Sequence, residues 1–158
     1  MRHPIAIEDL ALSLPPKGRL IGIDLGSKTI GLALSDIERR LASPLKTLPR
    51  GAFGKDAEAL TAIFSEFGIA GIVLGLPLDL SGRDNPRAQS TRAFARNLST
   101  RTSLPIVFWD ERFSTAVVTR SLIANDVSRA RRSEVVDKMA AAYILQGALD
   151  RIGGLTRP

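Results

Sequence analysis

Eight consecutive residues, Ile69-Ala70-Gly71-Ile72-Val73-Leu74-Gly75-Leu76, carry no polar side chain, and the run stops at Pro77. A stretch this short and this uniformly apolar suits a strand covered on both faces, as at the centre of a parallel sheet. Such a strand requires helices above and below it. Residues 56–67 provide one candidate, with Ala59, Leu60, Ile63, Phe64 and Phe67 at amphipathic spacing and Gly68 as the stop. After the turn-forming stretch from Asp79 to Pro86, residues 87–101 provide another, with Ala88, Phe94, Ala95 and Leu98 on its core face. Residues 105–110 then read as a second buried strand.

The chain before this run has a different pattern. Residues 19–26 are an apolar strand, and residues 27–36 read as a tight turn and a strand returning beside it. Residues 41–48 form a third short strand bounded by Pro49 and Gly51, while residues 114–124 and 133–152 read as two further helices. The order predicts an α/β fold with a mixed five-stranded sheet and helices on both faces. Its 158 residues suit one domain, residues 19–158, preceded by an arm or short helix over residues 1–18 that closes with Pro15-Pro16-Lys17-Gly18. No run approaches the roughly 20 apolar residues of a membrane span. Glu8 and Asp9 interrupt the N-terminal apolar stretch, which makes it a poor signal peptide, so a cytoplasmic protein is expected.

Composition narrows the chemistry. There is no cysteine, and the single histidine is His3 in the N-terminal arm. Thiolate zinc sites and cysteine nucleophiles are excluded, and Ser-His-Asp catalysis has no suitable histidine. An enzyme built from this chain works with carboxylates, Lys, Arg, hydroxyls or a metal held by oxygen, for which Mg²⁺ or Mn²⁺ is the fitting class. A net charge of +6 and a pI near 10.5 point to a polyanionic partner, nucleic acid before an anionic membrane.

Asp24 is the anomaly, a carboxylate at the end of the apolar first strand, where burial is costly without a cation or hydrogen bonds. Asp110-Glu111 end the last strand, and Asp137 falls in the first turns of the last predicted helix, on one stripe with Ala141, Ile144 and Ala148. Strand ends and helix starts of an open α/β sheet collect on one edge, so Asp24, Glu111 and Asp137 are the candidate catalytic and metal-binding set. Crowded carboxylates repel unless a divalent cation lies between them. Asp110 is the weaker neighbour as a ligand, because adjacent strand residues face opposite ways. Each acid also has a plainer reading. Asp24 could cap the turn after it, Glu111 could pair with Arg112 or Arg120, and Asp137 could answer a helix dipole.

Arg83, Arg87, Arg92, Arg96 and Arg101, with Arg129, Arg131 and Arg132, could line a path for a phosphate backbone, and a solvated helix face explains the first group equally well. The candidate nucleic-acid contacts are Lys28, Arg83, Arg87, Arg112, Arg131 and Arg132. The eight aromatic residues, mostly within apolar segments, form no visible stacking platform.

Four stretches together resemble the YqgF/RuvX family: Gly22-Ile23-Asp24-Leu25-Gly26-Ser27-Lys28-Thr29-Ile30-Gly31; Val73-Leu74-Gly75-Leu76-Pro77-Leu78 with Gly82; Asp110-Glu111-Arg112-Phe113-Ser114-Thr115; and Val136-Asp137-Lys138-Met139-Ala140-Ala141 with Ile144-Leu145-Gln146. They occur in the family's order across residues 19–150. The resemblance implies an RNase H-like fold, kinship with RuvC Holliday junction resolvases, and a bacterial nuclease that helps process the 5′ end of the small-subunit ribosomal RNA precursor. It implies that Asp24, Glu111 and Asp137 are the catalytic acids, with Mg²⁺ or Mn²⁺ as cofactor. RuvC enzymes place a Glu where this chain has Gly75, so the acid comes from Glu111 instead.

The leading expectation is metal-dependent hydrolysis of RNA by a monomer or homodimer. The alternatives are cleavage of a Holliday junction or other structured DNA, and a non-catalytic RNA-binding factor in ribosome assembly. The similarity of Asp24-Leu25-Gly26-Ser27 to the phosphate loop of actin-like and Hsp70-like ATPases offers a nucleotide-binding reading. Those proteins, however, clamp ATP between two such domains.

Overall fold

The computed structural model describes residues 4–113 and 129–156, side chains included except at 113 and 129–136. His3, the helix expected over residues 114–124, Arg120, and the side chains of Arg129, Arg131 and Arg132 lie outside the described residues. The described elements are α1 (Ile7–Ser13), β1 (Arg19–Leu25), β2 (Thr29–Ser35), β3 (Ala42–Pro49), α2 (Phe53–Phe67), β4 (Ile69–Leu76), α3 (Pro86–Leu98), β5 (Ile106–Asp110), a single 3-10 turn (Glu111–Phe113) and α4 (Arg129–Thr156).

The sheet order is β3-β2-β1-β4-β5. β1 pairs antiparallel with β2 and parallel with β4, β2 pairs antiparallel with β3, and β4 pairs parallel with β5. This is the expected mixed sheet. The all-apolar run lies between two parallel neighbours, where helices cover both of its faces. Ile21, Ile23, Ile72, Leu74 and Ile106 point to one side, where Leu60, Phe64, Phe94 and Leu98 of α2 and α3 cover them. Leu20, Ala33, Val73 and Val107 point to the other, against Ala141, Ile144, Leu145 and Ala148 of α4. The α4 helix lies close because both surfaces are trimmed. A Cβ on Gly22 would sit 2.7 Å from Leu145 Cβ and 2.8 Å from the Ala141 carbonyl oxygen.

Several boundaries differ from expectation. In the arm, α1 packs down through fully buried Leu10, and the Ile5 N–H donates to the Ile106 carbonyl at 2.8 Å, which fixes this segment to the far edge of the sheet. The α3 helix ends at Leu98, not residue 101, where the Thr100 and Arg101 N–H groups turn back to Asn97 and Leu98. The α4 helix starts at Arg129, not residue 133. Asp137 is therefore more than two turns inside the helix, beyond the first turn where the dipole acts, and the plain helix-dipole reading does not account for it. Among the described residues, no helix is long and apolar enough to cross a membrane.

Candidate active site

Five polar or charged residues are buried among those described: Asp24, Ser35, Asp56, Thr91 and Glu111. Three of them serve the fold. Ser35 Oγ accepts from the Leu20 N–H and donates to the Asp36 carbonyl, both at 2.8 Å. Asp56 accepts from the Gly51 N–H at 3.1 and 3.2 Å, and Thr91 Oγ1 donates to the Arg87 carbonyl at 3.0 Å. The other two, Asp24 at 1% exposure and Glu111 at 6%, lie at the tips of β1 and β5, on either side of β4.

Register explains their meeting. Ile23 pairs with Leu74, so Asp24 lies beside Gly75 one step on, while Gly75 pairs with Trp109 and Leu76 with Asp110. Asp24 alternates with Gly22 and therefore faces α4. Glu111, just past β5, folds back over β4. A Cβ on Gly75 would stand 2.9 Å from Glu111 Oε1 and 2.6 Å from Ile144 Cδ1. The glycine leaves the space that the Glu111 carboxylate occupies.

Asp137 comes from the helix side. Gly31, which pairs with Asp24, lies directly beneath the Asp137 backbone, and Asp137 Oδ2 is 3.6 Å from where a Gly26 Cβ would be. The β1–β2 turn is closed by the Gly26 N–H donating to the Thr29 carbonyl at 2.8 Å. The Thr29 hydroxyl then donates to Asp137 Oδ2. All three carboxylates thus reach the α4 side of one sheet edge, with Asp24 and Glu111 buried and Asp137 half-buried and turned to Thr29. Among the described residues, no three Asp, Glu, His or Cys side chains are gathered closely enough to form a ready-made metal cage. The donors that are present are oxygens, the class that suits hard cations.

Asp110 takes the other direction. It shares its strand face with Ile106 and Phe108 on the α2 and α3 side, and Arg112 grips it, with Nη2 donating to Oδ2 at 2.6 Å and Nε at 2.9 Å. Burial opposes ionisation of this carboxyl, yet the Arg112 side chain and backbone N–H outweigh burial and hold it below the usual carboxylate range. The same hydrogen bond raises the Arg112 guanidinium. Arg112 thus has its charge answered by Asp110.

The other basic candidates divide. Lys28 is exposed on the β1–β2 turn, Arg83 is exposed in the loop after β4, and Arg87 at the start of α3 donates to the Leu25 carbonyl at 3.4 Å. Arg92 pairs with Asp84 at 3.3 Å and lies over the Phe108 ring, and Arg101 lies over Phe53. These two have structural work. The sequence reading overlooked Thr29 and Arg50, because neither sits in a periodic pattern and both matter only through contacts across the fold. Arg50 Nη1 donates to the Gly26 carbonyl at 2.7 Å.

Comparison with known proteins agrees with this architecture. A family model described as RuvX, Holliday junction resolvase, matches residues 18–151. A protein of Methylocella silvestris named "Putative pre-16S rRNA nuclease" is 59% identical over 148 residues, covering 94% of this chain and 92% of its own. One of Ruegeria pomeroyi with the same name is 57% identical, covering 94% and 97%. Among solved structures, Thermus thermophilus RuvC in complex with Holliday junction substrate superposes with a TM-score of 0.54 at 13% identity, over 86% of this chain and 96% of that one. At that identity the likeness establishes the RNase H-like fold alone.

Proposed function

We propose, from the premise that this chain belongs to the RuvX family, that it is a cytoplasmic nuclease that hydrolyses phosphodiester bonds in the precursor of small-subunit ribosomal RNA. The observation that carries this reading is the buried pair Asp24 and Glu111, at the tips of β1 and β5, with Gly75 of the intervening β4 left bare between them. Two carboxylates converging on one bare glycine repel each other, an arrangement that serves no purpose in a protein that only binds polyanions and suits a site built around a cation.

Asp24 and Glu111 would hold a Mg²⁺ or Mn²⁺ ion, and Asp137, whose Oδ2 accepts from the Thr29 hydroxyl, would be the third ligand. When bound, such a cation neutralises charge on the phosphoryl oxygens and makes water a competent nucleophile near neutral pH. The chain's own residues supply the rest. Packing of α4 against Gly22 and Gly31 fixes the site wall, Thr29 holds Asp137 at the mouth, and Arg112 keeps Asp110 turned away.

The test compares two substrates for the wild-type protein, a ribosomal RNA precursor carrying its 5′ extension and a four-way DNA junction, each with Mg²⁺ and with Mn²⁺. Metal-dependent cleavage of the RNA with the junction left intact is expected. Symmetric junction cutting by a homodimer would replace this reading with the DNA one, and binding without cleavage of either would support an assembly factor.

Gly75→Ala probes the bare position. Its methyl group meets Ile144 Cδ1 and Glu111 Oε1 too closely for either to stay, and because both are side-chain ends that can rotate, the cost is about 1 kcal/mol, the lower end for overpacking. A lowered melting temperature is expected, together with a fall in kcat larger than any change in RNA affinity, because the displaced group is a carboxylate of the reacting centre. Unchanged kcat in a folded variant would remove Glu111 from the site.

A further inference from the structure

On the side of the β1 tip away from Asp24 lies a cleft of about 230 Å³, floored by the Leu25-Gly26-Ser27 backbone and walled by Arg50, Arg87 and Ser90. Among the described residues, no acidic side chain lines it. Arg50 donates from Nη1 to the Gly26 carbonyl at 2.7 Å and from Nη2 to Ser90 Oγ at 3.3 Å, and its guanidinium lies 5.9 Å from the centre of the Phe94 ring. Arg87 makes one long contact, to the Leu25 carbonyl. Every one of these partners is neutral. Among the described residues, Arg40, Arg92, Arg112 and Arg151 each pair with an acid, and Arg50 and Arg87 do not.

Two guanidinium groups held by carbonyl oxygens retain both their full charge and unused N–H groups. A guanidinium presents five donors in a fork matched to phosphate oxygens, so two of them facing one acid-free cleft are suited to a bidentate anion. The α3 helix adds to this, since it begins at the same wall with no acid in its first turn. The anion has to be one that lies across the strand tip, because the cleft floor is the backbone immediately after Asp24.

We propose that this cleft is a backbone-phosphate subsite that seats a phosphodiester of the substrate strand next to the one being cut. Arg50 and Arg87 clamp its oxygens and Ser27 and Ser90 supply hydroxyls. The strand crosses the tip of β1 from the acid-free notch to the buried acids, so that the positive side anchors it and the negative side receives the scissile group. The subsite rests on the reading of this chain as a nuclease.

The test is binding of a short single-stranded RNA to the full chain in the presence of a chelator, so that no cleavage occurs, measured across salt concentrations. Arg87→Gln is the primary variant, because Arg87 is exposed and its loss threatens little of the fold. Affinity is expected to fall roughly tenfold, and the slope of log affinity against log salt to become shallower by about 0.7. Arg50→Lys keeps the charge and loses the fork, and is expected to weaken binding with little change of slope. Arg151→Gln, which removes a charge paired with Glu8, serves as the comparison and is expected to leave the slope unchanged. An equal small effect for Arg87→Gln and Arg151→Gln, with both slopes unaltered and melting temperatures intact, overturns the subsite. Because these measurements contain no metal, they stand or fall separately from the cleavage assay. A wild type that never cuts RNA removes the nuclease reading and leaves the anion site to be judged on its slopes.

Discussion

Replacing Asp24 by Asn is expected to lower metal-dependent cleavage by roughly 10³-fold and at the same time to raise the melting temperature. The first effect follows from charge. A cation at a phosphoryl-transfer site supplies several kcal/mol of transition-state stabilisation, and each tenfold in rate is about 1.4 kcal/mol. Removing the most deeply buried carboxylate of the set forfeits much of that. The second effect follows from repulsion. Asp24 is 1% exposed in the first strand, facing α4, with Glu111 reaching toward it from the tip of β5 over Gly75 of β4. In the absence of a cation, the like charges of Asp24 and Glu111 converging over Gly75 repel each other, and the isosteric amide removes that repulsion. A gain of about 1 kcal/mol corresponds to roughly 2–4 °C in a domain of this size. Single-turnover cleavage and thermal unfolding, each with and without Mg²⁺, provide the readouts. If Asp24 were only a turn residue, Asn would serve nearly as well and both quantities would stay near wild type. Retained cleavage by Asp24→Asn would sink the site as drawn. So would a stability gain in Mg²⁺ that equals the gain without it, since a bound ion should favour the aspartate form.

Much of this architecture is written in local pattern. The run Ile69–Leu76 is buried on both faces because nothing in it tolerates water, and the hairpin of β1 and β2 is set by apolar residues on either side of a short polar turn. Helix boundaries were less legible. Arg129-Ala130-Arg131-Arg132 contributes no apolar stripe, so the start of α4 cannot be seen from periodicity, and the position of Asp137 within the helix shifts with it. The acids themselves could be picked out, since the inventory of the chain leaves little else for chemistry. Their company could not. Gly75 and Glu111 are 36 positions apart and meet only because parallel register sets Gly75 against Trp109, which places Glu111 over the neighbouring strand. Arg50 is hidden for the same reason. In the chain it is one residue after a short edge strand, and in the fold it holds the carbonyl two residues beyond Asp24.

Gly31→Ala is expected to have the largest effect on stability, at the point where sheet and helix are closest. Gly31 pairs with Asp24, and a methyl group added there would run into the backbone carbonyl of Asp137 and lie 3.0 Å from its Cβ. A flexible side chain could swing aside from such a contact, but a carbonyl within a hydrogen-bonded helix cannot move alone. The whole of α4 has to lift, and α4 is anchored by Ala141, Ile144, Leu145 and Ala148, all fully buried. Overpacking usually costs about 1–3 kcal/mol, and rigid backbone on both sides places this case at or above the upper end. A fall of roughly 6–12 °C in melting temperature is the expected result. Gly54→Ala is the internal comparison, since a Cβ there meets nothing within 4 Å and the variant should melt at or slightly above the wild-type temperature. Activity separates packing from chemistry. Lifting α4 draws Asp137 away from Thr29 and from the Asp24 rung, so Gly31→Ala should cleave poorly even at temperatures where it is fully folded. Normal cleavage by the folded variant would mean that the Asp137 wall of the site is dispensable, and that Asp24 and Glu111 suffice for the reaction.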